Sequence, residues 1–154
     1  MKNLLYLPLL LISGSLPVGS PDFINPTGIY LLKGEVKNNK IIGHSGELRV
    51  RLLDSITVAI CLYLSKGYPG YESGAFTDTL HYGDNTVVYT PAGDSSCSIY
   101  FAFDVRTVEM FESLTDPHSG CGFLPGVLVP SIFEKTSSDI PVIQDFSPRG
   151  GSAN

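Results

Sequence analysis

The strongest constraint on the fold of this chain is an alternation of apolar and polar residues that recurs over short segments. From Ile56 to Leu64, every second residue is isoleucine, valine or leucine. Apolar residues at a period of two are typical of strands that bury one face. An amphipathic helix needs apolar residues three and four positions apart, and no segment after residue 20 sustains that spacing. The sequence therefore predicts an all-β chain.

Eight segments with this alternation follow one another at short intervals. The predicted strands cover residues 27–36, 46–54, 56–65, 74–82, 86–91, 97–104, 106–112 and 126–134. Asp54-Ser55 and Gly83-Asp84-Asn85 fit tight hairpin turns. Consecutive hairpins favour an antiparallel, up-and-down β-barrel of about eight strands, because closure removes unpaired edges. A two-sheet β-sandwich is the alternative. The expected inward residues are Leu48, Val50, Leu52, Ile56, Val58, Ile60, Ile99, Phe101 and Phe103.

The first twenty residues have the layout of a secretory signal peptide. Lys2 precedes an apolar run from Leu4 to Ile12, and small residues follow. That run is shorter than the ~20 residues of a membrane span. We therefore expect cleavage near residues 15–20 and an exported protein, periplasmic or secreted, with no integral membrane span in its mature form. A single barrel domain is expected over 21–138, followed by a short apolar patch and a flexible tail over 139–154.

Cysteine usage is consistent with export. In an oxidising compartment, a disulfide between Cys97 and Cys121 would tie a strand end to a glycine-flanked bend. Cys61 lies in the middle of a strand and is expected to be a small buried or half-buried thiol. We expect a monomer, with intermolecular pairing through the odd cysteine as the alternative.

No pattern in the sequence identifies a catalytic, cofactor or metal site. Gly93–Cys97 reads G-D-S-S-C, similar to the nucleophile loop of trypsin-like proteases, but Ser96 stands where that loop has its second glycine. His118 and Cys121 have a metal-ligand spacing, yet no second ligand pair accompanies them. A small secreted hydrolase that uses paired carboxylates is an alternative. Its candidate acids are Asp104, Glu109, Glu112 and Asp116.

Two loops are candidate contact surfaces. Ser65–Gly74 carries Tyr68 and Tyr71 among glycines, and Gly120–Gly126 carries Phe123 and Leu124. Tyrosine on a surface loop supplies the rigid amphipathic area that binding hot spots use. The alternative is that these aromatic loops fold back over a barrel end.

The opening Gly28-x-Tyr30-x-Leu32-x-Gly34, the single expected disulfide and the eight-strand meander resemble small exported calycin-type barrels. These include the lipocalin-like proteins and the barrel-shaped bacterial lysozyme inhibitors. Lipocalins usually open with a Gly-x-Trp strand, whereas this chain has no tryptophan. The resemblance implies a fold and a general binding role, and it assigns no functional residue.

The net charge and the size of the inward-facing side chains indicate which class of partner to expect. Ten basic residues against fifteen acidic ones give a net charge of −5, which argues against a nucleic-acid partner. We expect a non-enzymatic binding module that takes a small apolar ligand or a protein partner. The bulky inward residues would fill a small barrel, which favours the protein partner. An envelope-associated structural domain without a ligand is a further alternative.

Overall fold

The computed structural model describes residues 22–144, so the expected signal peptide over 1–20 and the tail from residue 145 onward lie outside it. The described chain contains ten strands and no helix. The strands are β1 Gly28–Leu32, β2 Glu35–Lys37, β3 Lys40–Ile42, β4 Ser45–Asp54, β5 Thr57–Ser65, β6 Ser73–Gly83, β7 Thr86–Tyr89, β8 Cys97–Phe103, β9 Thr107–Leu114 and β10 Ser131–Ser137.

Eight of these strands form one closed antiparallel barrel in the order β1-β10-β9-β8-β7-β6-β5-β4. From β4 to β10, each strand pairs with the next strand in sequence, and β1 closes the barrel by pairing with both β4 and β10. The all-β, up-and-down barrel is therefore confirmed over the sandwich. Because neighbouring strands are antiparallel, the connections 33–44, 66–72, 90–96 and 115–130 all meet at one end, which we call the loop end.

The first predicted strand, 27–36, is wrong in its extent. β1 ends at Leu32, and a separate hairpin of β2 and β3 follows before the chain re-enters the barrel. Asn38 and Asn39 have φ of 49° and 58° and form its two-residue turn. The alternation continues across Gly34, so the sequence pattern does not show where the chain leaves the barrel.

The last predicted strand, 126–134, is displaced: β10 begins at Ser131 and runs to Ser137. Pro125 and Pro130 have no N–H to donate to a ladder, so the intervening segment is irregular. Val127 nevertheless contributes to the core and is fully buried. The apolar residue at this position therefore reflects packing against the barrel core and not membership of a strand.

The barrel interior is filled by side chains from alternating positions. Most of the predicted inward residues are buried, including Leu48, Val58 and Phe101. Ile56 is wrong, because it is 55 % exposed. It lies in the turn between β4 and β5, where a register shift between Leu52 and Asp54 takes the chain out of the alternation, and Leu52 itself is half-buried.

The segment that precedes β1 covers the barrel end opposite the loop end. The Tyr82 hydroxyl donates to the Ile24 carbonyl at 2.5 Å, and the Asn85 side-chain amide donates to the Asp22 carbonyl at 2.8 Å. The Phe23 ring packs edge-on against Tyr82, with ring centroids 5.9 Å apart. These contacts join the start of the described chain to the β6–β7 turn.

Residues 139–144, which we call the C-terminal strap, run across the outside of the barrel. Arg49 Nη1 donates to the Val142 carbonyl at 3.2 Å, and Thr77 Oγ1 donates to the Gln144 carbonyl at 2.7 Å. Pro141 is buried. Cys61 is fully buried and is not in a disulfide, and it lies between Arg49 and Thr77 in the sheet register. Part of the predicted apolar patch thus packs onto β4, β5 and β6.

Candidate functional site

Tyr68 and Tyr71 form an exposed aromatic pair at the loop end. Their ring centroids are 6.3 Å apart with an angle of 75° between the planes, an edge-to-face arrangement. The two side chains are 44 % and 43 % exposed. Both sequence-predicted tyrosines are therefore presented to solvent as one unit.

Backbone hydrogen bonds hold this pair in place. Tyr71 N–H donates to the Gly67 carbonyl at 2.8 Å, and Tyr68 N–H donates to the Ile41 carbonyl of β3 at 2.7 Å. Tyr71 has a φ of 52°, a left-handed conformation that is unfavourable for a bulky residue and persists where surrounding contacts enforce it. A β-carbon on Gly67 would lie 2.3 Å from the Gly43 carbonyl oxygen, so this loop packs closely on the chain that leaves β3.

The β2–β3 hairpin adds a positive charge to the tyrosine pair. Lys40 Nζ lies 3.9 Å from the centroid of the Tyr68 ring, within cation–π range. Residues 33–44 and 66–72 together hold four lysines against two glutamates, in a chain whose net charge is −5. Lys40 was not predicted as a contact residue, because the first strand was expected to run to residue 36 and the β2–β3 hairpin was not expected. The consecutive asparagines at 38 and 39 are the signal that would have revealed the hairpin.

The 115–130 connection contains the other two predicted contact residues, Phe123 and Leu124, and these differ in how far they are exposed. The Cys97–Cys121 disulfide is present, with the two Cα atoms 5.4 Å apart, and it anchors the connection to the start of β8. Phe123 is buried against Gly74, with only 9 % of its surface exposed, whereas Leu124 is 57 % exposed. Leu124 is therefore the member of this pair that faces solvent.

A cleft of about 280 Å³ lies beside Leu124, between the end of β9 and the 115–130 connection. Its walls include Glu112, His118 and Leu128. The 115–130 connection also contacts the chain just before β4, because His44 Nε2 donates to the Gly126 carbonyl at 2.7 Å. Three connections are thus linked at the loop end: 33–44 contacts both the tyrosine loop and the 115–130 connection. We call the exposed residues Lys40, Tyr68, Tyr71 and Leu124, which these connections carry at the loop end, the loop surface.

The G-D-S-S-C segment is a structural turn. The Asp94 carboxylate accepts hydrogen bonds from the Ser96 backbone, at 3.1 Å, and from the hydroxyls of Ser96 and Ser119. Those bonds, that from Ser119 first, lower the pKa of Asp94 and keep it ionised. The carboxylate joins the 90–96 and 115–130 connections next to the disulfide. Its acceptor capacity is used within the fold.

The spacing of His118 and Cys121 is the other candidate pattern. Within residues 22–144, no three His, Cys, Asp or Glu side chains lie together in a way that could hold a metal ion. Cys121 is in the disulfide and is not available as a thiolate beside His118. The same residues include no helix long and apolar enough to cross a membrane.

Comparisons with known proteins found no match, whether with protein-family models, with curated proteins or with solved structures. The loop surface therefore has to be interpreted from its own chemistry.

Proposed function

We propose that this chain is an exported, non-enzymatic binding module of the calycin-like barrel type and that it binds a protein partner through the loop surface. The observation that carries the proposal is the exposed Tyr68–Tyr71 pair, held by backbone hydrogen bonds to its own loop and to β3 and flanked by Lys40. Aromatic side chains fixed in this way lose little conformational entropy on binding. The local excess of lysine favours a partner with an acidic face.

The filled interior favours this function over the binding of an apolar ligand inside the barrel. Large side chains that are almost completely buried come from strands around the whole barrel, among them Tyr30, Leu62, Phe101, Met110 and Phe133. A ligand inside a barrel needs space that the side chains leave empty. The loop surface, in contrast, offers exposed tyrosines and lies beside the cleft at Leu124, a concave space open to a partner side chain.

Site-specific photo-crosslinking in the producing cells tests the proposal. A photoreactive benzoylphenylalanine at Leu124 is expected to give one discrete protein adduct, and the same group at Phe111 on the outer barrel wall is expected to give none. Phe111 is the control because it is 39 % exposed and lies on the wall of the barrel in β9, outside the loop surface. Adding Tyr68→Ala and Tyr71→Ala is expected to abolish the Leu124 adduct.

Two results would overturn the proposal. Equal crosslinking at Leu124 and Phe111, or none at either position, would indicate a structural domain without a partner at the loop end. A native mass spectrum of the purified protein with a bound small molecule, together with unchanged crosslinking in the tyrosine variant, would instead indicate the ligand-binding alternative.

A further inference from the structure

The barrel wall has a seam between β6 and β7. β6 pairs with β5 from Ser73 to His81, but it pairs with β7 only at Tyr82 and Gly83. β7 contains four residues, and its last residue, Tyr89, is followed by the 90–96 connection rather than by further strand. Among residues 22–144, no strand pairs with residues 73–81 on the side away from β5.

The register shows which backbone groups face this seam. Tyr82 N–H donates to the Ile56 carbonyl at 2.7 Å and Lys66 N–H donates to the Glu72 carbonyl at 2.9 Å. Each bond lies one residue beyond an end of the β5–β6 ladder and joins residues that its register places directly opposite each other. Opposed pairs alternate between bonded and non-bonded in an antiparallel ladder. The even-numbered residues of β6 therefore bond to β5. Ala75, Thr77 and Thr79 direct their N–H and C=O groups into the seam.

The acidic side chain of Asp78 lies beside the same seam. Asp78 lies on the inward-facing side of β6, between the positions of Phe76 and Leu80, yet it is exposed. Its Oδ1 accepts the Thr79 N–H at 2.7 Å, and none of the ion pairs formed within residues 22–144 includes it. Burial first, and then the nearby Asp78 carboxylate, raises the pKa of the Tyr89 hydroxyl across the seam.

We propose that the open edge of β6 binds an extended segment of a partner protein by strand addition, and that this segment places a basic side chain against Asp78. The backbone groups of Ala75 and Thr77, which pair with no other strand within residues 22–144, are the recognition chemistry, because an exposed edge is a template for an added strand. The Asp78 carboxylate supplies charge complementarity at one position along that strand. This inference is independent of the loop surface.

A second copy of the same edge is a less suitable occupant. If two β6 strands paired antiparallel about Thr77 or about Thr79, each Asp78 would lie diagonally across from the other. Diagonal cross-strand neighbours are about 7–8 Å apart, so the two carboxylates would repel each other. The net charge of −5 on each copy adds further repulsion. A segment with a lysine or arginine avoids both effects.

Amide hydrogen exchange measured by NMR on the folded protein tests the inference. In the protein alone, the amides of Ala75 and Thr77 are expected to exchange quickly, and those of Phe76 and Leu80 slowly. The probe is a capped nonapeptide of alternating threonine and valine with a central lysine. It is expected to slow exchange at Ala75 and Thr77 by about tenfold or more, in a saturable manner.

Three controls define the result. Ala75→Pro removes a seam-facing N–H and is expected to abolish protection of Thr77, whereas Ala75→Thr keeps that N–H and is expected to retain it. Asp78→Asn is expected to reduce the affinity for the lysine peptide to that for a peptide with central glutamate. This last comparison remains informative even where the proline variant does not fold.

The inference is overturned if Ala75 and Thr77 are already protected without peptide, whether by a second copy in a concentration-dependent manner or by residues that follow Gln144. It is also overturned if the peptide protects neither amide, or if lysine and glutamate peptides bind equally to the unmodified protein. Crosslinking at Leu124 reports on the loop surface and is expected to be unaffected by Ala75→Thr or Asp78→Asn, so the two proposals fail separately.

Discussion

The Phe123 ring occupies the space that a side chain on Gly74 would need: a β-carbon built on Gly74 would lie 2.4 Å from Cδ1 of that ring. This contact joins the start of β6 to the 115–130 connection. Because Phe123 is buried, the ring cannot move aside into solvent. The close approach explains why a glycine lies at this strand position.

Gly74→Ala is therefore expected to lower the free energy of unfolding by about 1–3 kcal/mol, the usual cost of inserting a methyl group into a packed core. The measurement is urea denaturation followed by far-UV circular dichroism. Gly93→Ala is the matched control, because nothing lies within 4 Å of its β-carbon. Equal stability of the two alanine variants would contradict the packing argument.

The strands could be predicted from the sequence because alternation is a local property. Leu48, Val58 and Phe101 point inward as their period of two requires. Ile56 has the same local pattern and is exposed, because the turn register decides its position. The disulfide was also predictable, since an oxidising compartment was expected and the spacing of Cys97 and Cys121 favours the pairing.

The features that carry the functional proposals depend on long-range geometry. Lys40 meets Tyr68 only because the β2–β3 hairpin folds against the 66–72 loop. The seam beside Ala75 exists because β7 stops after four residues while β6 continues for eleven. Nothing in the sequence of β6 itself distinguishes a paired edge from an open one. The sequence predicted the tyrosines as contact residues but not their charged neighbour.

Loss of the Cys97–Cys121 disulfide is expected to cost about 3 kcal/mol, the chain-entropy value for a loop of this size. The cysteines are 24 residues apart, and the bond joins β8 to the connection that supplies the core residues Phe123 and Val127. The test compares unfolding of the protein with that of the double variant Cys97→Ser, Cys121→Ser, with and without reductant. Reductant should destabilise the unmodified protein and a Cys61→Ala control, and it should leave the double variant unchanged.

The strap is expected to protect the Cys61 thiol from alkylation. Burial raises the pKa of this thiol, so the reactive thiolate is scarce as well as covered. Pro141→Asp places a charge at a buried strap position and should displace the strap, increasing the rate of iodoacetamide labelling by about tenfold or more. Val142→Asp is the control, because Val142 is 72 % exposed. Rapid labelling of the unmodified protein would show that the strap does not cover Cys61.

Tyr82 is expected to make stability fall at alkaline pH. Burial raises its pKa from 10.0 to about 12, so the folded state holds the phenolic proton more tightly than the unfolded state. The resulting stabilisation is fully present below the unfolded pKa of about 10 and is lost as the pH rises through the folded pKa of about 12. Urea unfolding from pH 8 to pH 12 should therefore show a decline that begins near pH 10.

Tyr82→Phe separates this effect from general alkaline denaturation. The variant lacks the hydroxyl that donates to the Ile24 carbonyl, so it should be less stable by about 1 kcal/mol at neutral pH. Above pH 10 its stability should decline less steeply, because one of the proton-linked groups is gone. Tyr30 keeps part of the decline, since burial raises its pKa as well. Parallel pH profiles for the variant and the unmodified protein would show that the Tyr82 hydroxyl titrates alike in the folded and unfolded states.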